Sequence, residues 1–131
     1  MGNVFKISEA ASIAIHSMSV VARSQSLLNA QQIAEQTGFS KNHTSKVLQL
    51  LAKNHYLTST RGPGGGFRLG KKAEEISLMD IYRLIEGDLS ESDCRMDCPN
   101  CPVKHCIFGG IDKRFTEEFR QYMESKSLAM M

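Results

Sequence analysis

Arg61-Gly62-Pro63-Gly64-Gly65-Gly66-Phe67-Arg68-Leu69 is the run from which the rest of the chain can be placed. Glycines clustered around a proline do not continue a helix or a regular strand, because proline lacks an N–H and glycine loses the most backbone freedom on ordering. Short strand-like runs flank the tip, Leu57 to Thr60 before it and Phe67 to Leu69 after it, so the segment predicts a β-hairpin with a glycine-rich turn. Glycines let a backbone approach a surface closely. With Arg61 and Arg68 at its two ends, the loop is suited to laying a guanidinium into a DNA minor groove. Taken alone it is equally an ordinary flexible hairpin. A phosphate-binding nucleotide loop is excluded, since no strand-loop-helix carrying Gly-Lys-Ser/Thr is present.

Upstream of the hairpin the pattern is helical. Ser40 caps a predicted helix from Lys41 to about Asn54, with Val47, Leu48, Leu50 and Leu51 inward and Lys41, Asn42, Ser45, Lys46 and Gln49 outward. It follows a tight Thr37-Gly38-Phe39 turn. Before that turn, Asn29 and Gln32 have capping-box spacing, and Ile33 and Ala34 give a short helix its apolar face. Ile7, Ala11, Ala14, Met18 and Val21 recur at helical spacing, predicting a core helix from about Ser8 to about Arg23. Two short helices joined through a glycine turn make a helix-turn-helix. That motif occurs in many proteins without a nucleic-acid role, and the hairpin after it is what favours DNA.

Charge agrees with that reading. The chain has 131 residues and a net charge of +2, but residues 1 to 72 hold nine basic side chains against Glu9 and Glu35, a balance of +7, which leaves −5 for the remainder. Such an asymmetry focuses positive potential on one part of the molecule and favours a polyanion, although a solvated basic surface has the same composition. The length suits one compact domain with an appended element rather than a two-domain enzyme. The run from Ile13 to Ala22 is too polar to span a membrane and lacks a small-residue cleavage site, so a cytoplasmic protein is expected.

The nonapeptide from Arg61 to Leu69, followed by Ile76-Ser77-Leu78 and Asp80-Ile81, resembles the wing of the IscR/NsrR-type family of winged helix-turn-helix transcription regulators. The resemblance covers about residues 5 to 90 well and the rest in outline. It implies a mainly α fold with a small β-hairpin wing, a DNA-binding domain over 1–90, a cysteine-rich loop over 91–107 and a long C-terminal dimerisation helix over 108–131. It also places DNA contacts on Ser40, Asn42, His43 and Lys46 of the recognition helix and on Arg61 of the wing, with Arg68 beside them. Where the family commonly closes the recognition helix with glycine, this chain has His55 after Asn54, two residues that tolerate left-handed backbone angles better than most.

All four cysteines, Cys94, Cys98, Cys101 and Cys106, fall in one short segment that Pro99 and Pro102 keep from being helical. In a reducing compartment such clustering points to metal ligation or redox chemistry rather than a disulfide scaffold. Soft thiolates suit an iron-sulfur cluster, of the 2Fe-2S or 4Fe-4S kind, or zinc, and spacing alone does not choose. The resemblance favours a cluster. It also implies three more widely spaced cysteines and a non-cysteine ligand, sometimes a carboxylate from the partner's first helix; this chain has Ser12 there, so its fourth cysteine is expected to take that ligand's place, with His105 in place of one thiolate as the alternative. A thiol-disulfide switch and a structural zinc clip remain as other readings. A thiol oxidoreductase built on Cys98-Pro99-Asn100-Cys101 is disfavoured, because that dithiol needs a helix start in a strand-helix-strand setting.

Phe108, Ile111, Phe115, Phe119 and Tyr122 then form a narrow apolar stripe on a polar helix; a stripe can pack on its own domain, but its distance from the core sequence and its seam-like width favour a partner helix. The resemblance likewise implies a homodimer, which would read a pseudo-palindromic operator in double-stranded DNA with half-sites about one helical turn or a multiple apart. A repressor is expected.

Overall fold

The computed structural model of the chain describes residues 5–90 and 100–131. Helix α1 (Glu9–Arg23) is its hub, touching α2 (Ala30–Thr37), α3 (Lys41–Lys53), α4 (Leu78–Glu86) and the second strand of an antiparallel hairpin, β1 (Leu57–Thr60) and β2 (Gly66–Leu69). A 3-10 turn (Ala73–Glu75) precedes α4, and α5 (Ile111–Ser125) is followed by a second one (Leu128–Met130). This is the mainly helical, winged helix-turn-helix architecture expected from the sequence.

Local signals explain the boundaries. Ser8 caps α1, its hydroxyl accepting from the Ala11 N–H at 3.1 Å, and Gly38 closes α2 in the left-handed region at φ 82°. Asn29 and Gln32 form the reciprocal capping box: the Gln32 N–H donates to Asn29 Oδ1 at 2.8 Å, and the Asn29 N–H donates to Gln32 Oε1 at 2.9 Å. Ser77 and Asp80 repeat the device at α4. The turn after α3 survives without glycine because His55 adopts φ 67°.

The core gathers Ile13, Met18, Ile33, Leu48, Leu51, Ile76, Met79 and Ile81, all fully buried. Two inward assignments are corrected. Leu50 is 38% exposed while Thr44 is fully buried, because Thr44, Val47, Leu48 and Leu51 share one face of a 3.6-residue helix and Leu50 lies a quarter-turn away. Ile7 is also 38% exposed, since it precedes the cap and lies outside α1.

The C-terminal segment returns to this core. The Leu78 N–H donates to the Lys126 carbonyl at 2.9 Å and the Leu128 N–H donates to that of Ile76 at 2.9 Å, closing a bridge between Ser77 and Ser127. Met123 and Leu128 are buried there.

Among the described residues, the buried hydroxyls of Ser17 and Thr44 have no hydrogen-bond partner. A buried, unsatisfied hydroxyl opposes folding, so Thr44→Val is expected to raise stability by about 1 kcal/mol. A higher urea midpoint at unchanged slope checks this; a lower midpoint would show that the hydroxyl is satisfied in solution.

Candidate nucleic-acid interface

The candidate surface begins at Ser40, whose extended backbone and side-chain oxygen, accepting from the His43 N–H at 3.2 Å, start α3. The inner face of α3 is fixed by Thr44, Val47, Leu48 and Leu51, so Lys41, Asn42, Lys46 and Gln49 are left exposed. Asn42 and Lys46 are one turn apart and therefore neighbours on that surface. Ser45 is half-buried. His43 is less free than the sequence reading made it: its Nδ1 lies 3.5 Å from Glu9 Oε1 at the first turn of α1. The partner is distant in sequence, and no local pattern would have found it.

Arg61 leaves β1 at the exposed tip, and Arg68 is exposed in β2 opposite Thr58. Leu57 pairs with Leu69 and Ser59 with Phe67, so Arg68 and Thr58 share the face turned away from Leu69 and Phe67. The hairpin does not project freely. Phe67 and Leu28 exchange two backbone hydrogen bonds, of 2.7 and 3.3 Å, which tie the wing to the loop before α2. A Cβ on Gly66 would stand 2.6 Å from both the carbonyl carbon and oxygen of Leu28. The close approach read into the glycines is thus, at Gly66, an approach to the chain's own backbone. Gly62 and Gly64, at φ 95° and 74°, instead permit the turn. A groove of about 510 Å³ runs between the tip and the start of α2, lined by Asn29, Gln32, Thr60 and the wing glycines.

Cys101, His105 and Cys106 are exposed, and both thiols are free. Cys94 and Cys98 lie outside the described residues. Among the described residues no three or more His, Cys, Asp or Glu side chains come together as a metal site. The donors that are described fit a soft metal centre in kind: they are thiols, accessible, and uncommitted to a disulfide. His16 is not drawn into any such group. Its Nδ1–H donates to the Ser12 carbonyl at 2.6 Å and its ring meets Phe39 edge-on, so its surface position is explained locally.

Beyond the cysteines, the apolar stripe is split. Phe119 packs edge-on against Tyr82 at 4.9 Å and beside Phe5 at 5.1 Å, whereas Ile111, Phe115 and Tyr122 remain 39%, 46% and 55% exposed. Phe108, expected on the helix, precedes it and is 49% exposed. Phe108, Ile111 and Phe115, but not Tyr122, line a groove of about 700 Å³ between α4 and α5 that also holds Tyr82, Leu89 and Phe119. Burial pushes the Tyr82 hydroxyl above the usual range, and the Glu86 carboxylate adds to the shift. Arg83 pairs with Glu124 at 3.1 Å, joining the last turn of α4 to α5, and with Asp88, just past α4, at 3.2 Å. Among the described residues no helix is long and apolar enough to cross a membrane.

A family model described as "Rrf2: Iron-dependent Transcriptional regulator" matches residues 7–131. The HTH-type transcriptional regulator NsrR of Bacillus licheniformis is 38% identical over 88 residues, 67% of this chain and 59% of that relative. The chain thus spans about three fifths of the length of the curated relatives it matches. Among solved structures, IscR of T. potens has a TM-score of 0.75 at 21% identity, covering 96% of this chain and 85% of that one. The oxidised form of CymR from Staphylococcus aureus has a TM-score of 0.72 at 26% identity, covering 95% and 93%.

Proposed function

The chain belongs to the Rrf2 family of transcriptional regulators, and we propose that it is a cytoplasmic, homodimeric repressor that reads a pseudo-palindromic operator in double-stranded DNA. The observation that carries this reading is the exposed first half of α3, with Asn42 and Lys46 side by side, next to a wing that presents Arg61 and Arg68. In this reading α3 occupies the major groove, Asn42 and His43 meet base edges, and Ser40 and Lys46 meet phosphates. Arg61 and Arg68 serve the wing's contact with the adjacent groove or backbone. The uncovered Ile111, Phe115 and Tyr122 and the groove beside them are the face that a second copy covers.

We further assign control to an iron-sulfur cluster held by Cys94, Cys98, Cys101 and Cys106, with His105 as the alternative donor. When bound, such a cluster supplies a redox-active, chemically labile group whose state serves as the signal. The protein's own contribution is mechanical. The cysteine segment joins α4 to α5 along the chain, and the ion pair of Arg83 with Glu124 ties the last turn of α4 to the C-terminal end of α5. A shift of the segment therefore bears on α5, on the dimer face, and on the spacing of the two recognition helices. A coupling of about 1 to 3 kcal/mol would change operator affinity from severalfold to about a hundredfold.

Anaerobic purification followed by visible absorption and assay of iron, acid-labile sulfide and zinc tests the cluster. Broad absorption with matched iron and sulfide is expected, and lost together in Cys101→Ala/Cys106→Ala; a colourless protein with one zinc per chain would replace sensing by a structural clip. DNA binding is tested with a duplex selected from a random library. Lys46→Ala should weaken all duplexes alike and lower the salt slope by about one unit, whereas Asn42→Ala should cost about 1 to 3 kcal/mol and relax base preference at one position. Unchanged binding in both variants would refute this interface.

A further inference from the structure

We infer that Glu9, on α1, is a positioning residue for DNA reading: its carboxylate sets the orientation and proton placement of His43 on the recognition helix. The inference rests on α3 being the DNA-reading helix. Nothing in the wing or the exposed face of α3 draws attention to Glu9, which is an acidic residue in the most basic part of the chain. A carboxylate beside a polyanion site lowers affinity by charge alone. Its place in the first turn of α1 suits the helix dipole, and the geometry gives it a second use. Glu9 Oε1 lies 3.5 Å from His43 Nδ1, and His43 has its backbone held by the Ser40 cap, so the ring is approached from α1 while its base is fixed by α3.

A carboxylate only accepts hydrogen bonds, and it therefore favours the proton on the ring nitrogen that faces it. With Nδ1 protonated toward Glu9, the opposite ring edge carries Nε2. In the neutral imidazole that nitrogen is an acceptor, matched to the exocyclic amino donors of adenine and cytosine in the major groove; in the imidazolium it is a donor, matched to guanine. Without Glu9 the ring is free to rotate and to exchange tautomers, and the base preference at its contact blurs. Glu9 acts through His43 and touches no base.

The two effects of Glu9 have opposite signs, which makes the test decisive. Charge removal alone predicts that Glu9→Ala binds every duplex more tightly. The positioning role predicts that Glu9→Ala loses about threefold to tenfold in affinity for the selected duplex while non-specific DNA is bound equally or more tightly. Glu9→Gln, which keeps an acceptor without the charge, should restore most of the base preference. In a His43→Ala background Glu9→Ala should cause no further loss of selectivity. The measurements use full-length protein at matched metal content, with circular dichroism to show that the exposed substitution leaves the fold intact. If His43→Ala and Lys46→Ala weaken the selected duplex but Glu9→Ala only tightens binding, this inference is overturned and the DNA-binding reading stands. If none of the three changes binding, the DNA-binding reading itself fails.

Discussion

Gly66→Ala is expected to lower the stability of the chain by about 2 to 3 kcal/mol and to abolish operator binding at temperatures where the wild-type chain is folded. The added methyl would stand 2.6 Å from Leu28 C and O and 3.0 Å from Asn29 N. All three are backbone atoms, so no flexible side-chain end can move aside. Either the wing lifts off the loop or the loop before α2 shifts. Lifting the wing breaks the paired hydrogen bonds between Phe67 and Leu28; shifting the loop disturbs the Asn29 cap that starts the helix-turn-helix.

The comparison that isolates this cause is Gly64→Ala. Gly64 has open space around it and a φ of 74°, so alanine there meets conformational strain alone, about 1 kcal/mol. Urea denaturation of the two variants should rank them with Gly66→Ala clearly the weaker. Equal midpoints would mean that the wing and the α2 loop yield together at small cost, and that the glycine is not what holds them apart. The same pair separates two roles in DNA binding: a folded Gly64→Ala retaining affinity shows that the tip conformation is not itself read.

The sequence made the helix-turn-helix and the wing legible because their determinants are local. Asn29 with Gln32, Gly38 and Ser40 each act within one turn of chain, and Pro63 with its neighbouring glycines fixes a hairpin without reference to anything else. Leu50 is apolar yet lies off the buried face of α3, and the polar Thr44 completes that face instead, so residue type alone does not give the helical phase there. The partners of Gly66 and His43 were not legible, because Leu28 and Glu9 reach them only after the chain has folded. The cysteines from Cys94 to Cys106 mark a candidate site through residue type alone. Which ligands converge is a matter of three-dimensional placement, and a stripe of aromatic residues likewise cannot say which of its members face the chain's own core.

Leu128→Ala is expected to cost about 2 to 5 kcal/mol, the cost of emptying a fully packed leucine site. Leu128 is 2% exposed and sits in the same cluster as Ile76, Leu78 and Met123, while its backbone N–H is held by the Ile76 carbonyl. The contact closes a ring of chain: α4 leads out to the cysteine segment, α5 returns, and residues 126 to 128 pair with the start of α4. That start follows the wing by only a few residues, and α4 packs on α1. A leucine-sized cavity here should therefore loosen the return of α5 and not simply fray an end. Hydrogen exchange would distinguish these outcomes. Faster exchange along α5 and the first turn of α4, together with a lower urea midpoint, is expected; acceleration confined to residues 128–131 with an unchanged midpoint would show that α5 is anchored without Leu128. On the proposed reading of α3 as the DNA-binding helix, the same substitution should in the first case also blunt any response of operator affinity to the state of the cysteines, because the 3-10 turn that holds Leu128 is one of the links between α5 and α1.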